Sequence, residues 1–411
     1  MVEVISVDLH NQNYHTQSMR QSVAIIGVGP SAMCLAAHLD SNRYAITIYE
    51  GQQSIGRKFL VAGKGGFNLT YDEPLPTFKE KYRPAGCMDS YLEAFSPEDL
   101  KSWLAEIGVP TYSGTSKRVF PEKGMKPIEV LTKIKAVLAV NDVQILTNQQ
   151  WSGWNAEGNL VFGSTIVDAD IVVFALGGGS WKITGSDGGW STLFEEKGID
   201  IVPFRGVNCG FTVEWDSAFI QMAAGKPLKN IVVTHHDSTK SGELVITDYG
   251  LEGNAIYGLS NGIQSAFSHT NRTTIHIDLK PSLSIDNLIT LLKQSDLSIT
   301  KVLSDKVKLS KIAIKLIKTQ LSKKDYTNPE YLATSIKALP IQLGPPRSLD
   351  EAISTIGGVP LSELSNNLEL QLLPNHYCIG EMINWYAPTG GYLLQGCMSM
   401  GVYIAKLLNN R

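Results

Sequence analysis

The stretch "AIIGVGPSAM", Ala24 to Met33, decides how this chain is read. The apolar run from Ser22 to Gly27 suits a buried parallel strand. It opens into Gly27-Val28-Gly29-Pro30-Ser31-Ala32, which fits the pattern G-x-G-x-x-G/A. In that pattern Gly27 permits a tight turn, Gly29 lets backbone approach a pyrophosphate, and Ala32 allows a helix to pack closely on the strand. "SAMCLAAHL" continues with helix formers, whose first amides would face the phosphates. A second strand, "YAITIYE", ends on Glu50, where an acid accepts the hydroxyls of a ribose. An acid there disfavours a 2′-phosphate, which leaves NAD and FAD as resident nucleotides.

The residues after Glu50 separate the two. A dehydrogenase would continue with further βα units. Here "IGRKFLVAGKGGFNLT", residues 55–70, is a second glycine-rich loop with Arg57, Lys58 and Lys64 in it and Gly51 just before it. Amides and cations at that density suit a long diphosphate ligand. "ADIVVFALGGGSW", residues 169–181, is another apolar strand opening into glycines, through Ala175 to Gly177. Near the C-terminus "NHYCIGEMINWYAPTGGYLLQG" gives a strand ending at Gly380-Glu381 and a helix start near Gly390-Gly391. A last segment that returns another strand, acid and helix N-terminus to the first unit is the behaviour of an FAD domain. Only one complete fingerprint occurs, so no second nucleotide domain is expected.

These segments together, with "SGTSKRVFP" at 113–121, resemble the bacterial aminoacetone-oxidase-family or BaiN-like NAD(P)/FAD-dependent oxidoreductases. The resemblance runs in order from about residue 22 to the end. It implies a Rossmann-like FAD-binding domain similar to that of the glutathione-reductase superfamily. It also implies FAD held by Gly27, Gly29, Pro30, Ser31, Ala32, Glu50, Gly51, Arg57, Lys58, Asn68, the backbone near Trp151, Ala175, Gly177, Gly380, Glu381, Gly391, Tyr392 and Leu393, with NAD(P)H as a transient donor. The chain departs from the family's usual pattern at Lys64, Gly66 and Phe67, where glycine, arginine and cysteine are usual. It departs again at Tyr386-Ala387, usually an acid and a glycine, and at Leu393, usually asparagine. These departures lie beside the expected flavin ring and point to a subfamily with its own reaction.

The texture changes from about Ile201. "NCGFTVEW", "LKNIVVTHH", "GELVITDYG" and "TTIHIDL" are short β-rich runs with turns between them. Residues 284–338 turn helical, and Lys308, Lys311, Lys315 and Lys318 are spaced to share one face, opposite Leu309, Ile312 and Leu316. "LGPPRS", residues 343–348, then breaks structure. The expected organisation is α/β: an extension at 1–21, an FAD-binding domain at 22–200 and 346–411, and an inserted β-barrel-like domain at 201–345 carrying the helical subdomain. The cleft between insert and FAD domain is the expected place for a small-molecule substrate.

Composition bounds the rest. The 411 residues are 43% hydrophobic, ample for two or three domains, and Lys plus Arg (36) nearly balance Asp plus Glu (39). That near-neutrality gives no global pull toward nucleic acid or anionic membrane, so neither is expected as a partner. Five scattered cysteines, Cys34, Cys87, Cys209, Cys378 and Cys397, argue for a reducing, cytoplasmic compartment and against a disulfide framework or a zinc site. The first 19 residues lack the basic start and apolar middle of a secretory leader, and translation from Met19 would remove most of them.

Disulfide reduction needs paired cysteines beside the ring, and none are paired here. His235-His236 reads as a surface pair, since no third metal ligand has usable spacing. Lys64, Tyr386 and Tyr392 are the acid–base candidates near the ring, and none is assigned a catalytic role. Trp181, Trp190 and Trp385 would wall the flavin or fill the core. The leading expectation is an FAD-dependent oxidoreductase reduced by NAD(P)H and acting on a small molecule. The alternatives are an FAD oxidase using oxygen and a binding or regulatory flavoprotein whose lysine-rich insert contacts a partner such as RNA.

Overall fold

A computed structural model describes residues 20–61 and 67–411. Lys64 and the N-terminal extension up to Ser18 and Met19 therefore lie outside the described residues. Five parallel strands form the first sheet, in the order His376–Cys378, Ile171–Phe174, Gln21–Ile26, Tyr44–Tyr49, Gln144–Leu146. All four residues of Ile171–Phe174 are buried, as expected of a strand covered on both faces. The helix Pro30–His38 packs on the C-terminal helix Tyr392–Asn409 at backbone contact. A Cβ on Gly401 would stand 2.2 Å from the Ser31 carbonyl oxygen, so only glycine fits there. The chain is thus α/β with a Rossmann-like sheet, and its last strand and helix return to complete the first.

Two strands lead between the bodies. Val202–Val207 pairs antiparallel with Ser354–Gly358, and Gly179 donates its amide to the Thr355 hydroxyl at 3.2 Å. Beyond them six strands follow the order Phe211–Thr212, Gly250–Glu252, Ser238–Ile246, Lys226–His235, Thr273–Asp278, Leu339–Leu343. The first and last of these also meet. The Thr212 amide donates to the Pro345 carbonyl at 3.0 Å, and the Gly344 amide donates to the Thr212 carbonyl at 2.8 Å. Phe211 bridges Pro346 in the same place. This closes the sheet into the barrel-like insert that the sequence leads one to expect, around its own apolar core. A closed sheet has no free edge to attract other strands.

The helical subdomain leaves the barrel at Asp278 and returns at Leu339. Its helices are Ile285–Lys293, Ile299–Asp305, Lys311–Gln320, Lys323–Thr327 and Pro329–Lys337. Ser284, Ser310, Ser322 and Asn328 each accept the amide three residues on, a cap that contributes about 1 kcal/mol per helix. Lys308 departs from expectation. It sits in the left-handed region, φ 60°, in the turn before Lys311–Gln320, and so shares no helical face with Lys311, Lys315 and Lys318. The cause is legible in retrospect: Ser310 caps the helix, which starts it after Lys308. Among the described residues no helix is long and apolar enough to cross a membrane.

Candidate functional site

A cavity of about 360 Å³ opens where the C-terminal ends of the parallel strands meet the glycine turns. Gly27 takes φ 93°, and a Cβ there would lie 2.6 Å from the Ala175 carbonyl oxygen. The turn therefore presses strand Gln21–Ile26 against the Ile171–Phe174 loop, which only glycine permits. Gly29 is different: a Cβ there would meet no protein atom within 4 Å, because it would point into the cavity. Helix Pro30–His38 begins at Gly29 with no side-chain cap, which leaves its first amides directed at that space. An uncapped helix N-terminus is an anion site.

Glu50 stands at the end of the second strand, on the cavity wall. Its two carboxylate oxygens accept the Val28 amide at 3.2 Å and the Gln52 amide at 2.9 Å. Burial raises its carboxyl above the usual range, against the pull of those amides and of Arg57. A group in this state gains from further hydroxyl donors. Arg57 reaches the same cavity and donates to the Gln52 side-chain oxygen at 2.6 Å and the Ile183 carbonyl at 2.8 Å. Among the described residues it makes no ion pair.

The far end is closed by a charged pair drawn from opposite ends of the chain. Lys58 Nζ lies 2.8 Å from Glu381 Oε2 and donates to the Ser180 hydroxyl at 2.8 Å. The other oxygen of Glu381 accepts the Thr355 amide at 3.0 Å. Glu381 follows Gly380, at φ 83°, whose absent Cβ makes room for the Ser31 hydroxyl.

Of the expected cofactor residues, Gly27, Gly29, Pro30, Ser31, Glu50, Gly51, Arg57, Lys58, Trp151, Ala175, Gly177 and Glu381 line this one cavity. Six do not. Ala32 is buried in the helix packing. Gly380 stands behind Ser31 and Glu381. Gly391 packs against the Thr70 backbone, 2.6 Å from where its Cβ would be. Tyr392 turns away to donate to Glu73 at 2.7 Å, and burial followed by Glu73 raises its phenol. Asn68 and Leu393 are half-buried outside the lining. Gln149, Gln150, Ser186, Trp190 and Cys397 also line the cavity and were not singled out as cofactor residues. Trp190 donates to the Gly177 carbonyl at 3.0 Å, and Trp385 to the Gly380 carbonyl at 2.9 Å, so both brace glycine turns.

The residues fit a dinucleotide with a diphosphate at its centre. The uncapped helix, the open space at Gly29 and the unpaired Arg57 would receive the diphosphate, and Glu50 would receive ribose hydroxyls. The sulfurs play no such part. All five cysteines are free, and burial pushes each thiol up, Cys87 and Cys209 to about 11, so none is a thiolate near neutrality.

A second cavity, about 920 Å³, opens between the two bodies. Lys81, Arg83, Tyr386 and Pro388 line it from the cofactor-binding side; His235, Lys240, Leu259 and Asn261 line it from the insert. Arg83 and Tyr386 exchange backbone hydrogen bonds at 2.8 and 3.0 Å, which ties two distant segments into one wall. Burial pushes the Tyr386 phenol up to about 12, so it remains a donor at neutral pH. His235 is buried and accepts or donates at Thr273 Oγ1, 2.9 Å away, and burial followed by His236 lowers it. No group of three or more His, Cys, Asp or Glu suited to a metal occurs among the described residues.

The family model described as HI0933-like protein Rossmann domain matches residues 21–407. A ribosomal RNA dihydrouridine synthase of Haemophilus influenzae is 24% identical over 400 residues, covering 91% of this chain and 95% of that protein. A 3-dehydro-bile acid delta(4,6)-reductase of Clostridium scindens is 22% identical over 413 residues, covering 93% and 97%. Among solved structures, the 3-ketosteroid delta1-dehydrogenase of Sterolibacterium denitrificans aligns with a TM-score of 0.50 at 11% identity, covering 95% of this chain and 100% of that one. At that identity the last likeness speaks to fold alone.

Proposed function

This chain belongs to the HI0933-like Rossmann family of FAD-dependent oxidoreductases, and from that premise we propose that it saturates a carbon–carbon double bond conjugated to a carbonyl group, with NAD(P)H as donor. The observation that carries the reading is the second cavity, walled by both bodies and entered from solvent, beside the segment that leads into Gly390 and Gly391. Both relatives at full length have names that denote this chemistry: dihydrouridine is uridine with the double bond beside its carbonyl reduced, and a delta(4,6)-reductase acts on a conjugated ketone.

FAD, when bound, would supply the two-electron redox chemistry that links a dihydronicotinamide donor to an electron-poor alkene. The chain's own residues do the rest. The amides at the start of Pro30–His38 and the Arg57 guanidinium hold the diphosphate, and Glu50 accepts the ribose hydroxyls. Lys58 and Glu381 hold each other, so that the cavity's end has fixed charge. Tyr386, protonated by burial, donates to the carbonyl oxygen of the substrate and draws electrons from its β-carbon. The α-carbon takes its proton from water in the open cleft. The balance is one double bond, one NAD(P)H and one proton giving the saturated ketone and NAD(P)⁺.

The test is an anaerobic titration of the FAD-loaded protein with NADPH and then NADH, following flavin absorbance, with 2-cyclohexen-1-one added to the bleached protein. Bleaching by one nucleotide and return of colour on adding the enone are expected. No bleaching by either nucleotide, or colour returning only with oxygen, would overturn the reading.

A further inference from the structure

A loop leaves the cofactor cavity after Gly178 and comes back to it before Trp190. Gly179 and Gly188 form its neck. A Cβ on Gly188 would stand 3.3 Å from the Gly179 Cα and 2.8 Å from the Phe204 ring, an approach that only glycine permits. Ser186 pins the neck by donating its hydroxyl to the Gly178 carbonyl at 2.7 Å. A compact surface loop whose ends meet is an Ω-loop, a form that is frequently functional. Here it puts Thr184, Gly185, Ser186 and Asp187 on the cavity wall, where Gln52 and Arg57 come to meet its tip.

Arg57 ties these two lips of the cavity together. Its Nη1 donates to the Gln52 side-chain oxygen at 2.6 Å and its Nη2 to the Ile183 carbonyl at 2.8 Å. Gln52 in turn lies against Gly185, where a Cβ would stand 2.8 Å from the Gln52 Cγ. The tip, Trp181 to Gly185, is otherwise weakly held. Ile183 leaves 82% of its surface in water, so its side chain adds no packing. Among the described residues the tip's one other hydrogen bond outside the loop runs from the Lys182 amide to Asp350, at 3.4 Å. Strain opposes closure. Trp181 sits in the left-handed region, φ 64° and ψ 55°, which a bulky residue occupies only where its surroundings impose it. Its indole N–H is buried and finds no hydrogen-bond partner among the described residues. A segment with few apolar contacts and a strained residue belongs to the part of a fold that opens first.

We propose that the tip from Trp181 to Gly185 is a gate over the cofactor cavity and that Arg57 is its latch. A dinucleotide enters or leaves only when the tip has lifted from Gln52 and Arg57. A guanidinium carries five N–H donors in a planar fork, and the two lips engage only part of that set. Donors remain on the same group for a diphosphate oxygen, which accepts more strongly than a carbonyl because it is charged. A diphosphate on Arg57 would therefore join both lips in one network and favour the closed gate. Arg57 is thus more than an anion ligand: it governs how fast the cofactor exchanges. The inference concerns cofactor traffic and stands apart from what is reduced in the cleft.

Crosslinking the lips tests the gate. The approach of Gly185 to Gln52 suits a disulfide in the variant Gln52→Cys/Gly185→Cys, which needs Cβ atoms about 3.5 to 4.5 Å apart. Uptake of FAD by the apoprotein and its release from the loaded protein are followed by flavin fluorescence, with wild type given the same diamide treatment. The oxidised variant is expected to take up FAD at least about tenfold more slowly than the same variant reduced, and to release FAD already bound more slowly by a similar factor. Dithiothreitol should reverse both effects. A second measurement needs no substitution: trypsin cleavage of wild type after the exposed Lys182, with the exposed Lys123 of the same body as reference. FAD is expected to slow the cut at Lys182 at least about tenfold and to leave Lys123 unchanged, because the protease reads the open population. Four outcomes would each overturn the proposal: equal exchange by oxidised and reduced variant, an equal change in treated wild type, Lys182 cleavage indifferent to FAD, or like protection of both lysines.

Discussion

Lys58 and Glu381 meet at 2.8 Å across the cofactor cavity, although the whole insert lies between them in the chain. Glu381 is nearly buried (side chain 9% exposed), while Lys58 retains 30% exposure, so the cost of losing the cation falls mainly on the acid. Lys58→Met leaves Glu381 with the Thr355 amide and hydroxyl alone, and an expected loss of about 1 to 3 kcal/mol. Glu381→Gln keeps the shape and removes the charge. A double-mutant cycle on thermal stability is expected to show coupling of about 0.5 to 3 kcal/mol. Additive losses would mean that the two groups act independently.

Gly27 and Gly29 look alike in sequence and are expected to fail differently. Gly27→Ala introduces a Cβ at φ 93° and 2.6 Å from the Ala175 oxygen, so the apoprotein itself should lose about 3 kcal/mol or more. Gly29→Ala meets only empty space. Its apoprotein should melt with the wild type, while FAD affinity falls at least tenfold, about 1.4 kcal/mol. Differential scanning of apoproteins and recovery of flavin binding separate the two. A destabilised Gly29→Ala apoprotein would contradict the reading of that space as the ligand's.

Glu50 gives a pH prediction of unusual sign. Burial raises its carboxyl in the folded state, so the folded apoprotein binds this proton more tightly than the unfolded chain does. The stabilising contribution is therefore full below the ordinary carboxyl range and declines as pH rises through the raised folded value. Urea unfolding of the apoprotein between pH 4 and 7 should show wild type losing stability relative to Glu50→Gln as pH rises. The same variant should bind FAD at least tenfold more weakly, about 1.4 kcal/mol, because an amide accepts hydroxyls less well. Parallel pH profiles would refute the assignment.

Asn208 joins the two bodies. Its amide nitrogen donates to Ser354 Oγ at 2.6 Å and the Ala387 carbonyl at 3.3 Å, and its backbone amide to Ser260 Oγ at 2.8 Å. It also sits at φ 54°. Asn208→Ala loses the side-chain bonds and strains the backbone, and should cost about 2 to 4 kcal/mol; Asn208→Gly, free of the strain, should cost about 1 kcal/mol less. Chemical unfolding of the pair checks the difference. Equal losses would exclude a backbone contribution.

These cases also show what could be read from the chain beforehand. Gly27, Gly29 and Glu50 are legible because strand, turn, helix and acid lie within one βαβ unit, where spacing alone fixes position. The barrel is legible as β-rich runs, but its closure is not. That depends on Thr212 meeting Gly344 and Pro345, residues separated by the whole domain and lying in what reads as a structure-breaking stretch. Thr355 and Ser180 left no signal at all, since what makes them matter is a contact with Glu381 and Lys58. The lysine periodicity was legible in kind but one residue too generous: 308, 311, 315, 318 has helical spacing, and only the serine cap at Ser310 excludes the first.

The cavity's construction from both ends of the chain has a consequence for biosynthesis. During translation Gly29 and Glu50 emerge early, but Glu381 and the helix that covers Ser31 through Leu35 come only after the insert has been made. At about 5 to 20 residues per second, that delay is on the order of tens of seconds. Throughout it the side of helix Pro30–His38 that meets Gly401, from Ser31 to Leu35, lacks the cover of the C-terminal helix. The cavity lined by Gly29, Glu50 and Glu381 is thus complete only once Glu381 has been made.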